Sequence, residues 1–123
     1  MEKYFLLYKG NIKEIIGSVL RVKEGSLEEL TGFYIPKKTK ETSKKIHYKA
    51  DINTDSYGNK SEKRGKHSPD IVEFSVNKEQ GTLTINKPSK KGEMHLTEIS
   101  KSQATKKINK IENMRNLEQY VFF

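Results

Sequence analysis

An α+β fold is predicted for this 123-residue chain, a small mainly antiparallel sheet with a C-terminal amphipathic helix and a short N-terminal helix. Three observations predict it. Short apolar segments alternate with polar turns between residues 71 and 97, the segment that follows repeats at a helical period, and a hydrophobic fraction of 33% supports one modest core. The length is that of a single domain over residues 1–123, within which a long basic polar loop is expected at about 37–69.

Tyr4-Phe5-Leu6-Leu7-Tyr8 is an apolar run ending at Lys9-Gly10, the pattern of a buried strand followed by a turn. Ile12, Ile15, Ile16, Val19 and Leu20 then fall on one helical face, with Asn11 as N-cap and Glu14 at capping-box spacing. The mid-segment Gly17 and the β-branched residues leave a bent strand from Glu14 to Lys23 as the alternative. Ser26 and Glu29 repeat the capping spacing for a single helical turn through Leu27 and Leu30. Phe33-Tyr34-Ile35 reads as a strand stopped by Pro36, which has no N–H for a ladder. Ile46-His47-Tyr48 is a brief strand flanked by lysines, and Asp51 to Pro69 reads as a loop.

Ile71, Val72, Phe74 and Val76 form a strand, residues 77–81 a hairpin loop, and Thr82-Leu83-Thr84-Ile85 the returning strand. Pro88 to Gly92 is a further turn, and Met94-His95-Leu96-Thr97 alternates as a strand. From Ser100 or Ser102, either of which can cap, Ala104, Ile108, Ile111, Met114 or Arg115, and Leu117 mark the C-terminal helix. Tyr120-Val121-Phe122-Phe123 is apolar enough that it is expected to pack back onto the sheet or to occupy a partner.

The formal net charge of +8 is unevenly placed. Residues 1–36 carry five basic and five acidic side chains, residues 37–66 ten and four, and residues 67–123 nine and seven. Three quarters of the net charge therefore lies in thirty residues. Lys37, Lys38, Lys40, Lys44, Lys45, Lys49, Lys60, Lys63, Arg64 and Lys66, interleaved with Tyr48 and Tyr57, form a candidate nucleic-acid-binding stretch. Lysine neutralises phosphate and releases counterions, and an exposed tyrosine stacks on an unpaired base. The expected function is a small basic non-enzymatic binding protein that engages nucleic acid, RNA or DNA, or a nucleoprotein complex. Solvation of a loop is the plain alternative for the same lysines.

Catalytic motifs are sparse. The chain lacks both glycine-rich phosphate-loop spacings, any cysteine and a serine nucleophile elbow, and it implies no cofactor. Pro69-Asp70 resembles the acidic start of a metal-dependent nuclease site, yet the next strand lacks the carboxylate-x-Lys that site needs, and Glu73 reads as an outward-facing strand residue. Asp51, Asn53, Asp55 and Glu62 match calcium-loop positions 1, 3, 5 and 12, but Ser56 stands where the turn requires glycine and Lys60, Lys63 and Arg64 oppose a cation. Of His47, His67 and His95, the pair His67 and His95 are the candidates for a metal-independent ribonuclease, a second functional reading. A third is an inhibitor of the phage or mobile-element type that binds a host protein.

The N-terminal apolar run is shorter than a signal-peptide core, and no stretch approaches the ~20 apolar residues of a membrane span. With no cysteine to favour an oxidising compartment, a cytoplasmic protein with no membrane partner is expected.

Overall fold

The computed structural model describes residues 2–10, 13–52, 71–87 and 94–121. In chain order the elements are β1 (Glu2–Gly10), a 3₁₀ turn (Lys13–Ile15), β2 (Val19–Lys23), β3 (Ser26–Glu29), β4 (Lys37–Glu41), β5 (Lys45–Asp51), β6 (Ile71–Asn77), β7 (Leu83–Lys87), β8 (Met94–Ile99) and α1 (Lys101–Val121). The described residues form two four-stranded antiparallel sheets, β3-β2-β1-β8 and β4-β5-β6-β7, with one C-terminal helix, which is an α+β fold.

β1 explains the layering, because its apolar run is buried on both sides. Phe5 and Leu7, with Leu20, Val22 and Leu27, meet Tyr48, Val72, Phe74 and Val76 of the second sheet in one cluster. Tyr4 and Val19, with Leu6 and Ile99 beside them, meet Ala104 and Ile108 of α1 in another. The order is therefore helix, first sheet, second sheet. A strand covered on both faces reads as continuous apolar sequence rather than as alternation, which is why residues 4–7 look as they do, while Tyr8 beyond them is exposed. Full burial of such a side chain contributes about 1.5–3 kcal/mol.

The hairpin β6–β7, the strand at 94–99 and the C-terminal helix form as the sequence predicts. At the head of α1 the capping residue is Ser100. Its Oγ accepts from Gln103 N at 3.1 Å while Gln103 Oε1 accepts from Ser100 N at 2.9 Å, a reciprocal capping box. Ala104, Ile108 and Ile111 turn inward, and Arg115, next along the same stripe, donates from Nη2 to Thr31 O at 2.6 Å.

Four expectations are overturned, each for a local reason. The short N-terminal helix is not formed; a single 3₁₀ turn at Lys13–Ile15 leads into β2 instead, close to the bent-strand alternative. Gly17 takes φ +97° and bonds back to β1, Gly17 N to Leu7 O at 2.8 Å, so the chain reverses there. The helix-like spacing arises because Ile15 enters the core from the turn while Val19 and Leu20 face opposite layers. The Asn11 cap lies outside the described residues. Ser26–Glu29 is a strand and not a helical turn, paired to β2 through Glu24 and Gly25, whose φ angles of 51° and 82° are those of a type I′ hairpin turn. Phe33-Tyr34-Ile35 is irregular. The brief strand expected at Ile46-His47-Tyr48 is present and longer, as β5, but residues 37–41, expected as part of the basic loop, are the strand β4 paired to it. The remainder of that loop, the Pro88 to Gly92 turn and the side chains of residues 117–123 lie outside the described residues.

The irregular segment after β3 has its own organiser, the half-buried Glu29. Its Oε1 accepts from Thr31 N at 2.6 Å and from the Thr31 hydroxyl, and its Oε2 from Phe33 N at 2.5 Å and Tyr34 N at 3.1 Å. Backbone donors that a strand would have spent on a ladder are used on this carboxylate. Tyr34 is thereby set between the sheets, stacked on Phe74 at 6.2 Å and sharing a hydrogen bond with Ser18 Oγ at 2.9 Å.

Burial pushes the Glu29 carboxyl above the ordinary value of 4.5, against the opposing pull of the Thr31, Tyr34 and Phe33 donors. Glu29→Ala strands several of those donors and is expected to cost about 3 kcal/mol, read by urea denaturation with an unchanged m-value. A raised folded pKa means that the native state holds the extra proton. This group's contribution is full below 4.5 and is lost as pH rises through the folded value, so that component of the stability–pH curve should vanish in Glu29→Gln.

Candidate functional site

On β5 alternate residues divide between core and solvent, and on β6 Glu73 is half-buried on the outer side while Ser75, also on that side, is buried. Ile46, Tyr48 and Ala50 are buried, whereas Lys45 and Lys49 are exposed and His47 is half-buried. The register joins these outer positions into rows across the second sheet. One row runs Lys40, His47, Ser75, Thr84, and the next runs Lys37, Lys49, Glu73, Lys87.

Two β-bulges make the rows possible. Residues three apart on a regular strand point to opposite faces, but the bulge between Lys38 and Lys40 brings Lys37 and Lys40 opposite the outward residues Lys49 and His47. On the far side the irregularity at Glu73/Phe74 moves Lys87 out of phase with Ile85 and sets it opposite Glu73. Both edges of the sheet thus add a lysine position to the rows.

Within the outer face, Ser75 Oγ lies 3.0 Å from His47 Nδ1 and fixes the imidazole from below, and Thr39 Oγ1 donates to His47 O at 3.3 Å. Lys49 Nζ pairs with Glu73 Oε1 at 3.4 Å. Thr39, Lys40, His47, Lys49 and Glu73 line an open cleft of about 410 Å³.

The inner rim of β4 is different. Lys38 stands opposite Tyr48, and Glu41 holds both Lys38 and Lys78 at 2.5 Å. Those two lysines, hydrogen-bonded and close, hold the Glu41 carboxyl down at about 2, with Lys38 the larger influence. Lys38, a member of the binding stretch read from the sequence, is exposed but stands outside the two outer rows, paired with Glu41. Lys44 is exposed in the β4–β5 turn. Tyr48 is no stacking platform: it is 7% exposed and its hydroxyl donates to Gly25 O at 2.8 Å, tying the β2–β3 turn to the second sheet. A side chain at Gly25 would put its Cβ 2.9 Å from Ile46 Cδ1.

His95 lies on β8 between Met94 and Leu96, both packed into the inter-sheet core, and so faces away from the second sheet with its ring 6.1 Å from that of Tyr8. It does not converge with His47. Asp51 ends β5. Tyr57, Lys60, Lys63, Arg64, Lys66 and His67, and the calcium-loop candidates Asn53, Asp55 and Glu62, lie outside the described residues. Among the described residues no three acidic or histidine side chains group as metal ligands. Sequence reasoning missed the meeting of His47, Ser75 and Glu73; the alternation over 45–51 signals the outward positions, but the pairing partner does not show in a linear reading.

No family model matches this chain, and no curated protein or solved structure matches it either.

NMR titration of Glu41 should give a midpoint near 2 that moves toward 4.5 in Lys38→Ala and, less far, in Lys78→Ala. The depressed value means that this pair's contribution is present above 4.5 and is lost as pH falls through about 2. Tyr48→Phe removes one hydrogen bond and should lower stability by about 1 kcal/mol in chemical denaturation while leaving any polyanion affinity within twofold, since the hydroxyl is spent on Gly25 O.

Proposed function

We propose that the protein binds nucleic acid, free or within a nucleoprotein complex, through the outer face of the second sheet. The observation that carries this is the gathering of Lys37, Lys40, Lys45 and Lys49 on one solvent-facing surface, two of them brought there by a bulge. Cross-strand neighbours stand about 5 Å apart and alternate residues along a strand about 6.6 Å apart, so the lysine positions form a grid on the sheet. Lysine is a compact point charge without the planar fork of arginine, which suits contact with phosphate rather than the reading of base edges. The cysteine-free composition fits a cytoplasmic setting for such a protein, and among the described residues no helix is long and apolar enough to cross a membrane.

The test is a titration with short single-stranded RNA and DNA between about 50 and 200 mM salt. Each lost phosphate contact lowers the slope of log affinity against log salt by about 0.7, so K37A/K40A/K45A/K49A should flatten it by about 3 and weaken binding at least tenfold. K101A/K106A/K107A/K110A removes as much charge from exposed positions of α1 and should leave the slope in place. Equal losses in both variants, or no binding at about 50 mM salt, would sink this reading.

A further inference from the structure

We propose that the cleft at His47 and Glu73 cleaves single-stranded RNA without a metal ion, an activity that rests on the nucleic-acid reading above and goes beyond it. The feature that a plain phosphate-binding surface does not require is Glu73. A carboxylate repels phosphate, yet this one sits in the middle of the lysine rows, with Lys49 in register on one side and Lys87 on the other. His47 stands one strand over and one pleat along, a diagonal separation of about 7–8 Å, and both residues line the same open cleft with Lys40 and Lys49. That spacing admits one phosphodiester and the ribose on its 5′ side.

The chemistry is a phosphoryl transfer within the RNA strand. Glu73 takes the proton of a ribose 2′-hydroxyl, and O2′ attacks the adjacent phosphorus and forms a new O2′–P bond. The P–O5′ bond breaks, and His47, entering as the imidazolium, gives its proton to the departing O5′. Lys40 faces the non-bridging oxygens as charge builds on them, and Lys49, paired with Glu73 at 3.4 Å before the reaction, turns to them as the carboxylate takes the proton. Ser75 is a positioning residue, its Oγ 3.0 Å from His47 Nδ1 holding the ring at the cleft wall. The products end in a 2′,3′-cyclic phosphate and a 5′-hydroxyl; Glu73 returns its proton to water and His47 takes one up, so the step closes with no oxidant, reductant or metal. DNA lacks the nucleophile, and a paired strand resists the backbone rotation that in-line attack needs.

Full-length protein is incubated with a fluorescent single-stranded RNA in excess chelator, and in parallel its affinity for the fully 2′-O-methylated strand is measured by anisotropy. Cleavage of RNA alone, with cyclic-phosphate fragments identified by mass, is expected. His47→Ala and Glu73→Gln should each slow it at least a hundredfold. Glu73→Gln should bind the methylated strand as tightly as the wild type or tighter, a split that a merely structural role for Glu73 would not give. Should His47→Ala alter the circular dichroism spectrum, His47→Gln, which keeps a partner for Ser75, takes its place. Wild-type protein that binds the methylated strand and leaves RNA intact overturns cleavage while the binding reading survives, as does a folded variant of either residue that cuts at the wild-type rate. Failure to bind either strand overturns both.

Discussion

Three backbone N–H groups and one hydroxyl between the sheets converge on the Glu29 carboxylate, and the positions of Tyr34 and Arg115 follow from that convergence. The loop carries Tyr34 into the gap between the layers, where its ring meets Phe74 and its hydroxyl meets Ser18. The Thr31 carbonyl on the other side of the same loop is left for Arg115, so α1 reaches the loop through a charged hydrogen bond as well as through Ala104 and Ile108. A half-buried carboxylate is tolerated because donors, rather than an opposite charge, satisfy it. Helix, first sheet and second sheet are thus linked at one residue that contributes nothing to the apolar core.

The second sheet meets that arrangement through Tyr34, stacked on Phe74. Its inner face is spent on Tyr48, Phe74 and Val76, and the hydrogen bond from Tyr48 to the Gly25 carbonyl anchors it to the first sheet. The outer face carries little of the packing beyond Ser75, which is buried and bonded to His47. Side chains there need only fit neighbours across a ladder, and the lysines, His47 and Glu73 occupy positions whose geometry the buried half of each strand has already set. The exposed β4 strand also protects the sheet edge, since lysine and a bulge both discourage pairing with another chain.

Much of this fold is legible in the sequence, and the failures are physical. The 71–85 hairpin, the strand at 94–99 and the helix from Ser100 show their own period, because each has one face in the core and one in water. β2 does not, because Val19 and Leu20 are both buried, in different layers, and the resulting spacing imitates a helix. Residues 33–35 have strand-like composition, but Glu29 captures their backbone donors, a long-range choice invisible to local propensity. The basic stretch was legible as charge, though not as surface: Tyr48 belongs to the inner side, Lys38 stands outside the two outer rows, and Glu73, outside the stretch, belongs among the lysines. Only the pairing register, shifted by a bulge, brings those residues together.

Alternation along β5 separates two kinds of selection. Ile46, Tyr48 and Ala50 answer to packing, while Lys45, His47 and Lys49 answer to whatever meets the face. Mutations can therefore alter the charge and chemistry of the surface one residue at a time without disturbing the interior. An inserted or deleted residue in β5 would exchange the two sets at a stroke. In β4, the bulge already absorbs an extra residue at an edge where no further strand is paired among those described, so length changes there redraw the surface and spare the interior. Such a strand lets a lineage explore new ligands by small steps, with the core as a fixed background.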